Sequence, residues 1–258
     1  MKDMQISRVL LTLLVSFVLV LCACQPLTES TEAATPRSTP RPTPTTPAET
    51  PAPASSLEHR RAQAYMGVID ELTAAYGEGA YGPHAATAEL VLRGLAVVRL
   101  IDFDGDGICE LFCAYDKGTG FADHLVLYGY DDQEGLYVAM AERRVSNPGT
   151  DVSPSVTFLA KNGLVYLVDE NEMTTGDYYT LQGREMVSVL SYYDDFWDGE
   201  NYLLNGDPST EQAIITAIQA MESGGEISSI SFYCPTDDSA IIKTQSTIAE
   251  ISAAADRA

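Results

Sequence analysis

The spacing of apolar and polar residues divides this chain into three unlike stretches. Residues 9–20 are almost wholly apolar, whereas residues 24–56 are nearly without large apolar side chains. From residue 57 onward the pattern becomes periodic. Tyr65, Met66, Ile69, Leu72 and Tyr76 recur three or four apart, which predicts one face of a helix over 57–76. Gly77, Gly79 and Gly82 end that helix, and the period then falls to two. Strands are expected at 94–101, 110–115, 124–130, 136–142, 155–160, 164–169, 178–182, 186–193 and 202–204. Turn residues separate them, among them 131–135 (Asp-Asp-Gln-Glu-Gly), Asn162-Gly163, Gln182-Gly183-Arg184 and Asn205-Gly206. An Asn-Gly pair between apolar runs is the strongest short hairpin signal.

Helical spacing returns near the C-terminus. Ser209, Thr210, Glu211 and Gln212 have the form of a capping box, with Ser209 as cap and Gln212 three residues on. Ile214, Ile215, Ile218 and Met221 then line one face. A strand at 227–233 and a helix from about 239 to 254 complete the pattern. The expected fold class is α+β: an antiparallel meander of short hairpins with one N-terminal and two C-terminal helices.

The first segment changes the reading of the whole. Lys2 and Arg8 precede the apolar run, and Leu21-Cys22-Ala23-Cys24 follows it. A dozen apolar residues are too few to span a bilayer, which takes roughly 20, but they suit a secretory signal. The Leu-x-Ala-Cys end resembles the lipobox of bacterial lipoproteins. That resemblance implies cleavage after residue 23, acylation of Cys24, and attachment to a membrane on its outer face. Residues 24–56, rich in Pro and Thr, bury too little to fold and read as an extended spacer. The expected organisation is thus 1–23 signal, 24–56 linker and 57–258 extracellular domain.

Composition adds one constraint. With 37 acidic against 15 basic residues, the formal charge is −22, which disfavours nucleic acid as a partner. It favours divalent cations. Cys109 and Cys113 lie in an extended stretch about 13 Å apart, too far for a disulfide, and only Cys234 is left to pair with either.

The clearest chemistry lies at residues 102–110. Asp102, Asp104 and Asp106 supply alternate carboxylates, Gly107 permits a sharp turn, the Ile108 carbonyl faces inward, and Glu110 adds a fourth carboxylate. This pattern resembles the DxDxDG calcium loops of EF-hands, dockerins and FG-GAP-type repeats. The resemblance implies one Ca²⁺ held by Asp102, Asp104, Asp106, Ile108 and Glu110. Position twelve is Cys113 instead of the bidentate glutamate of an EF-hand, and the flanks read as strands, which is nearer the FG-GAP form. The domain also resembles uncharacterised surface lipoproteins of Gram-positive anaerobes, on Leu100-Ile101-Asp102-Phe103-Asp104-Gly105-Asp106-Gly107, Glu110-Leu111 and Leu203-Leu204-Asn205-Gly206.

Catalytic signals are weak by comparison. Gly77, Gly79 and Gly82 match GxGxxG, but behind a helix instead of a strand. GxSxG, HExxH and phosphate-loop motifs are absent from the sequence, and His59, His84 and His124 stand apart along it. The mixed aromatic and acidic run at 192–198 is the one hint of a carboxylate-dependent glycan hydrolase. The expectation is a lipid-anchored surface protein, not an enzyme, whose calcium-stabilised domain binds an extracellular protein or glycan; the alternatives are that glycan hydrolase or a structural surface accessory.

Overall fold

The computed structural model describes residues 56–84, 89–145, 155–171, 175–195, 201–233 and 238–257. The expected signal, lipidation site and most of the linker lie outside them, as does Cys234. Among the described residues no helix is long and apolar enough to cross a membrane.

Helix α1 spans Leu57–Tyr76 and is capped by Ser56, whose hydroxyl accepts the His59 N–H at 3.2 Å. A four-stranded meander follows: β3 (Leu95–Ile101), β4 (Glu110–Tyr115), β5 (His124–Asp131) and β6 (Gly135–Arg144), after a small hairpin of β1 (Ala80–Pro83) and β2 (Leu90–Arg93). The second sheet has the order β12-β11-β10-β9-β8-β7-β13. Its strands are β7 (Ser155–Lys161), β8 (Leu164–Asn171), β9 (Thr175–Gln182), β10 (Glu185–Asp195), β11 (Asn201–Leu204), β12 (Asp207–Pro208) and β13 (Glu226–Ser231). Helix α2 (Glu211–Glu222) precedes β13, and α3 (Ser239–Ala255) ends the domain. Every pairing between strands is antiparallel, so the expected α+β architecture stands.

Three apolar clusters stack these elements in four layers. Tyr65, Ile69 and Leu72 of α1 and Ile251 of α3 pack on Leu95, Val98, Leu111 and Cys113, one face of the first sheet. Its other face, with Val97, Phe112 and Leu127, meets Phe158, Leu167 and Leu181 of the second sheet. Leu159, Val168, Tyr178 and Leu190, on the far side of that sheet, face Ala217 and Met221 of α2. A bulge between Ser188 and Leu190 shifts the register of β10. One extra residue reverses the in-out alternation. Met186 therefore joins the core between the sheets, while Leu190 and Tyr192 join the α2 side.

Local chemistry explains the turns. Asn162-Gly163 and Asn205-Gly206 have positive φ at both residues, as a two-residue hairpin of the primed type requires. Three details differ from expectation. The β1–β2 hairpin is not among the expected strands; Gly94, at φ +66°, separates β2 from β3. The strand expected over 227–233 ends at Ser231; the Leu92 N–H bonds the Phe232 carbonyl at 2.9 Å and Tyr233 bridges to Val91, so the chain transfers to β2. The cap of α2 is Thr210, which accepts the Ala213 N–H at 3.2 Å; Gln212 turns to Thr216, and no reciprocal box involving Ser209 forms.

Candidate functional site

The acidic loop joins β3 to β4, with Ile101 paired to Glu110 across its base. Phe103 points down into the core, its ring 6.3 Å from that of Phe158, and its carbonyl accepts from Val165 N at 3.2 Å and Thr180 Oγ1 at 3.3 Å. The loop is thereby fastened to the second sheet. Tyr65 adds a hydrogen bond from α1 to the Cys109 carbonyl at 3.0 Å.

Its carboxylates shape the backbone. Asp102 accepts the N–H groups of Gly105 and Gly107 through separate oxygens, at 2.7 and 2.9 Å. Asp104 accepts from Asp106 N at 3.2 Å, and Asp106 from Ile108 N at 2.6 Å. Gly105 and Gly107 have φ of +75° and +85°. At Gly105 a side chain has no room either: a Cβ there would lie 2.6 Å from the Gly163 carbonyl.

Asp102, Asp104 and Asp106 bring one oxygen each within 4.8 Å of one another. Glu110 is not one of that set. It is only 3% exposed, and its Oε2 accepts the Phe103 N–H at 3.1 Å. Burial, reinforced by the three aspartates, raises its pKa to about 7. Burial also raises Asp104, with a further push from Asp106 and Asp102. None of the three aspartates forms an ion pair with a basic side chain among the described residues. Asp104, Asp106, Ile108 and Glu110 open onto a cavity of about 370 Å³, which Arg61 of α1 and Arg184 of the β9–β10 turn also line. Arg184 is itself engaged by Asp131 at 2.7 Å and by Glu134, and lies over the Tyr137 ring.

These donors fit a hard cation. Each carboxylate oxygen already accepting one N–H keeps a second lone pair, and oxygen ligands in a flexible loop suit Ca²⁺ better than the strict octahedron of Mg²⁺. Bound there, Ca²⁺ would supply positive charge that relieves the mutual repulsion of the aspartates.

A second ordered loop, between β4 and β5, escaped the sequence reading. Asp116 accepts the Gly118 and Gly120 N–H groups at 2.8 and 3.0 Å. Asp123, 1% exposed, accepts from Thr119 Oγ1 at 2.7 Å and pairs with Arg144 and with His124 Nδ1 at 2.8 Å. His124, isolated in sequence, thus joins a network centred on the buried Asp123. The available signal was the Asp-Lys-Gly-Thr-Gly run, whose spacing lets one carboxylate collect two glycine amides. His59 lies buried on α1 and His84 against the rings of Phe121 and Tyr233.

The glycan hint does not gain a geometry. Tyr192 packs on the α2 side of its sheet, lying over Gly176 of the neighbouring strand. The side chain of Asp195 and residues 196–198 lie outside the described residues. The GxGxxG glycines run from the end of α1 into β1, not into a nucleotide-binding turn. Searches against protein-family models, curated proteins and solved structures find no match.

Proposed function

We propose that the chain is an exported lipoprotein, held at the outer face of a cell membrane by lipid on Cys24, with one Ca²⁺ stabilising its domain. Asp102, Asp104 and Asp106 are the principal ligands, with the Ile108 carbonyl and Glu110 completing the shell. The observation that carries the metal assignment is the convergence of three carboxylates within 4.8 Å, in a loop where no basic side chain pairs with them among the described residues. The role of the ion is structural, since the loop clips β3 to β4 and bears on the second sheet through Phe103. The domain acts as a binding module for an extracellular protein or glycan.

The anchor rests on the Leu21-Cys22-Ala23-Cys24 pattern behind its apolar run. Two acyl chains give lasting attachment where one is marginal. Replacing Cys24 by Ser in the full chain should move the protein from membranes to medium, and mass spectrometry should find lipid on the parent only. Membrane retention of the variant would refute the anchor.

Calcium titration of the full chain, by calorimetry and melting in parallel, tests the metal. Extracellular modules of this kind bind with Kd on the order of 10⁻⁴ to 10⁻³ M. Saturable heat with a rising melting temperature is expected. A flat titration in the millimolar range would reduce the loop to an acidic turn.

A further inference from the structure

A larger cavity, of about 520 Å³, opens between β3, the β7–β13 edge and the first turns of α3. Phe158, Val165 and Ile230 form its apolar wall. Arg99 and Lys243 give it two positive charges, and Ser228 adds a hydroxyl. Arg93, Arg143, Arg144 and Arg184 all pair with carboxylates. Arg99 and Lys243, like Arg61 and Lys161, pair with none among the described residues, in a chain where acids outnumber bases by more than two to one; only Arg99 and Lys243 of these four share a cavity.

Arg99 is also held still. Its Nη1 donates to the Val98 carbonyl at 2.7 Å and to Thr244 Oγ1 at 3.1 Å, and its Nη2 to the Ala240 carbonyl at 3.1 Å. Those bonds leave Nε–H and one Nη2–H without an acceptor among the described residues. Burial lowers the pKa of the guanidinium to about 10, so it stays charged at neutral pH. A half-buried cation without a counter-ion is costly, and two donors on a fixed, planar fork match the two oxygens of a carboxylate.

We propose that this cavity binds a small organic monocarboxylate, its head on Arg99 with Lys243 at the mouth, and its apolar body against Phe158, Val165 and Ile230. The volume falls within the range of small-molecule sites. One fixed guanidinium above an apolar wall suits a single negative charge on an apolar body better than a phosphate, which carries more charge and no apolar part. The site shares no lining residue with the cavity beside the acidic loop, and the contacts proposed for its ligand involve neither calcium nor the lipid.

The test uses the ¹⁵N-labelled full chain, with hexanoate and 3-phenylpropionate as probes and 3-phenylpropionamide and inorganic phosphate as controls. Saturable binding of both acids is expected, with Kd on the order of 1 mM. The Arg99 Nε–H and the amides of residues 228–231 should shift, equally in calcium and in chelator. The amide should bind about tenfold or more weakly, the scale of one charge-assisted hydrogen bond. Lys243→Glu, at an exposed position, should weaken the acids by a similar factor without lowering the melting temperature; Arg99→Lys should weaken them more. The inference is overturned if neither acid binds in the millimolar range, if acid and amide bind alike, if phosphate competes better than the acids, or if Lys243→Glu leaves affinity unchanged.

Discussion

Glu110 accepts the backbone N–H of Phe103 at 3.1 Å, so the acidic loop is closed from its buried side by the residue that begins β4. A carboxylate placed there is penalised when ionised, chiefly by burial and then by Asp104, Asp106 and Asp102, and its pKa rises to about 7. The folded-state value stands above the unfolded one, near 4.5. Its contribution to stability is therefore complete below about pH 4.5 and lost as pH rises through about 7. In chelator, the melting temperature should fall across that window, by the equivalent of up to about 3 kcal/mol. Glu110→Gln should flatten the profile, and Ca²⁺ should shrink the fall by favouring the ionised form. A pH profile unaltered by Glu110→Gln would locate the titration elsewhere.

Asp104→Ala separates the metal from the turn. Asp104 holds the Asp106 N–H at 3.2 Å, but its charge is opposed by burial and by Asp106 and Asp102, so its removal in chelator should cost less than about 1 kcal/mol. In calcium the loss should be larger, by up to about 2.7 kcal/mol at a free concentration about 100-fold above Kd. Melting curves of the parent and variant in both conditions measure the difference; equal losses would rule out a metal ligated by Asp104.

The two loop glycines should respond unequally to Ala. Gly107 has φ +85° with open space around its Cα, so the change costs about 1 kcal/mol of backbone strain. Gly105, at φ +75°, also faces the Gly163 carbonyl at 2.6 Å from any Cβ, and Ala should cost at least about 2 kcal/mol there. Urea unfolding midpoints of both variants give the comparison. Equal midpoints would mean that the loop does not bear on the β7–β8 turn.

Thr244, 3% exposed, fastens α3 to β3: its hydroxyl donates to the Ala96 carbonyl at 2.8 Å and accepts from Val98 N at 3.2 Å and Arg99 Nη1 at 3.1 Å. Val has nearly the same shape but leaves these groups unpaired in the interior. Thr244→Val should cost about 2 kcal/mol in denaturant unfolding, whereas Thr244→Ser, which keeps the hydroxyl, should cost less than about 1 kcal/mol. Near-identical losses would assign the effect to the missing methyl instead.

The elements of this domain were legible because their signals are local. A three-to-four repeat marked α1, alternation marked the strands of both meanders, and Asn162-Gly163 and Asn205-Gly206 marked turns that need positive φ. The Asp102, Asp104 and Asp106 cluster was legible for the same reason, since five residues of one loop suffice to converge three carboxylates. What the sequence did not disclose depends on register and on partners far along the chain. One bulged residue in β10 sends Leu190 to the opposite layer from Met186, and no periodicity announces it. Glu110 is expected as a ligand from spacing alone, but its burial comes from the core beneath it. The Arg99 cavity joins residues more than 140 positions apart, because β3, the β7–β13 edge and the start of α3 come together only in the folded domain. Short-range sterics and hydrogen bonding determined the elements and the acidic loop; only close packing of the layers decided which charges are buried and which face a cavity.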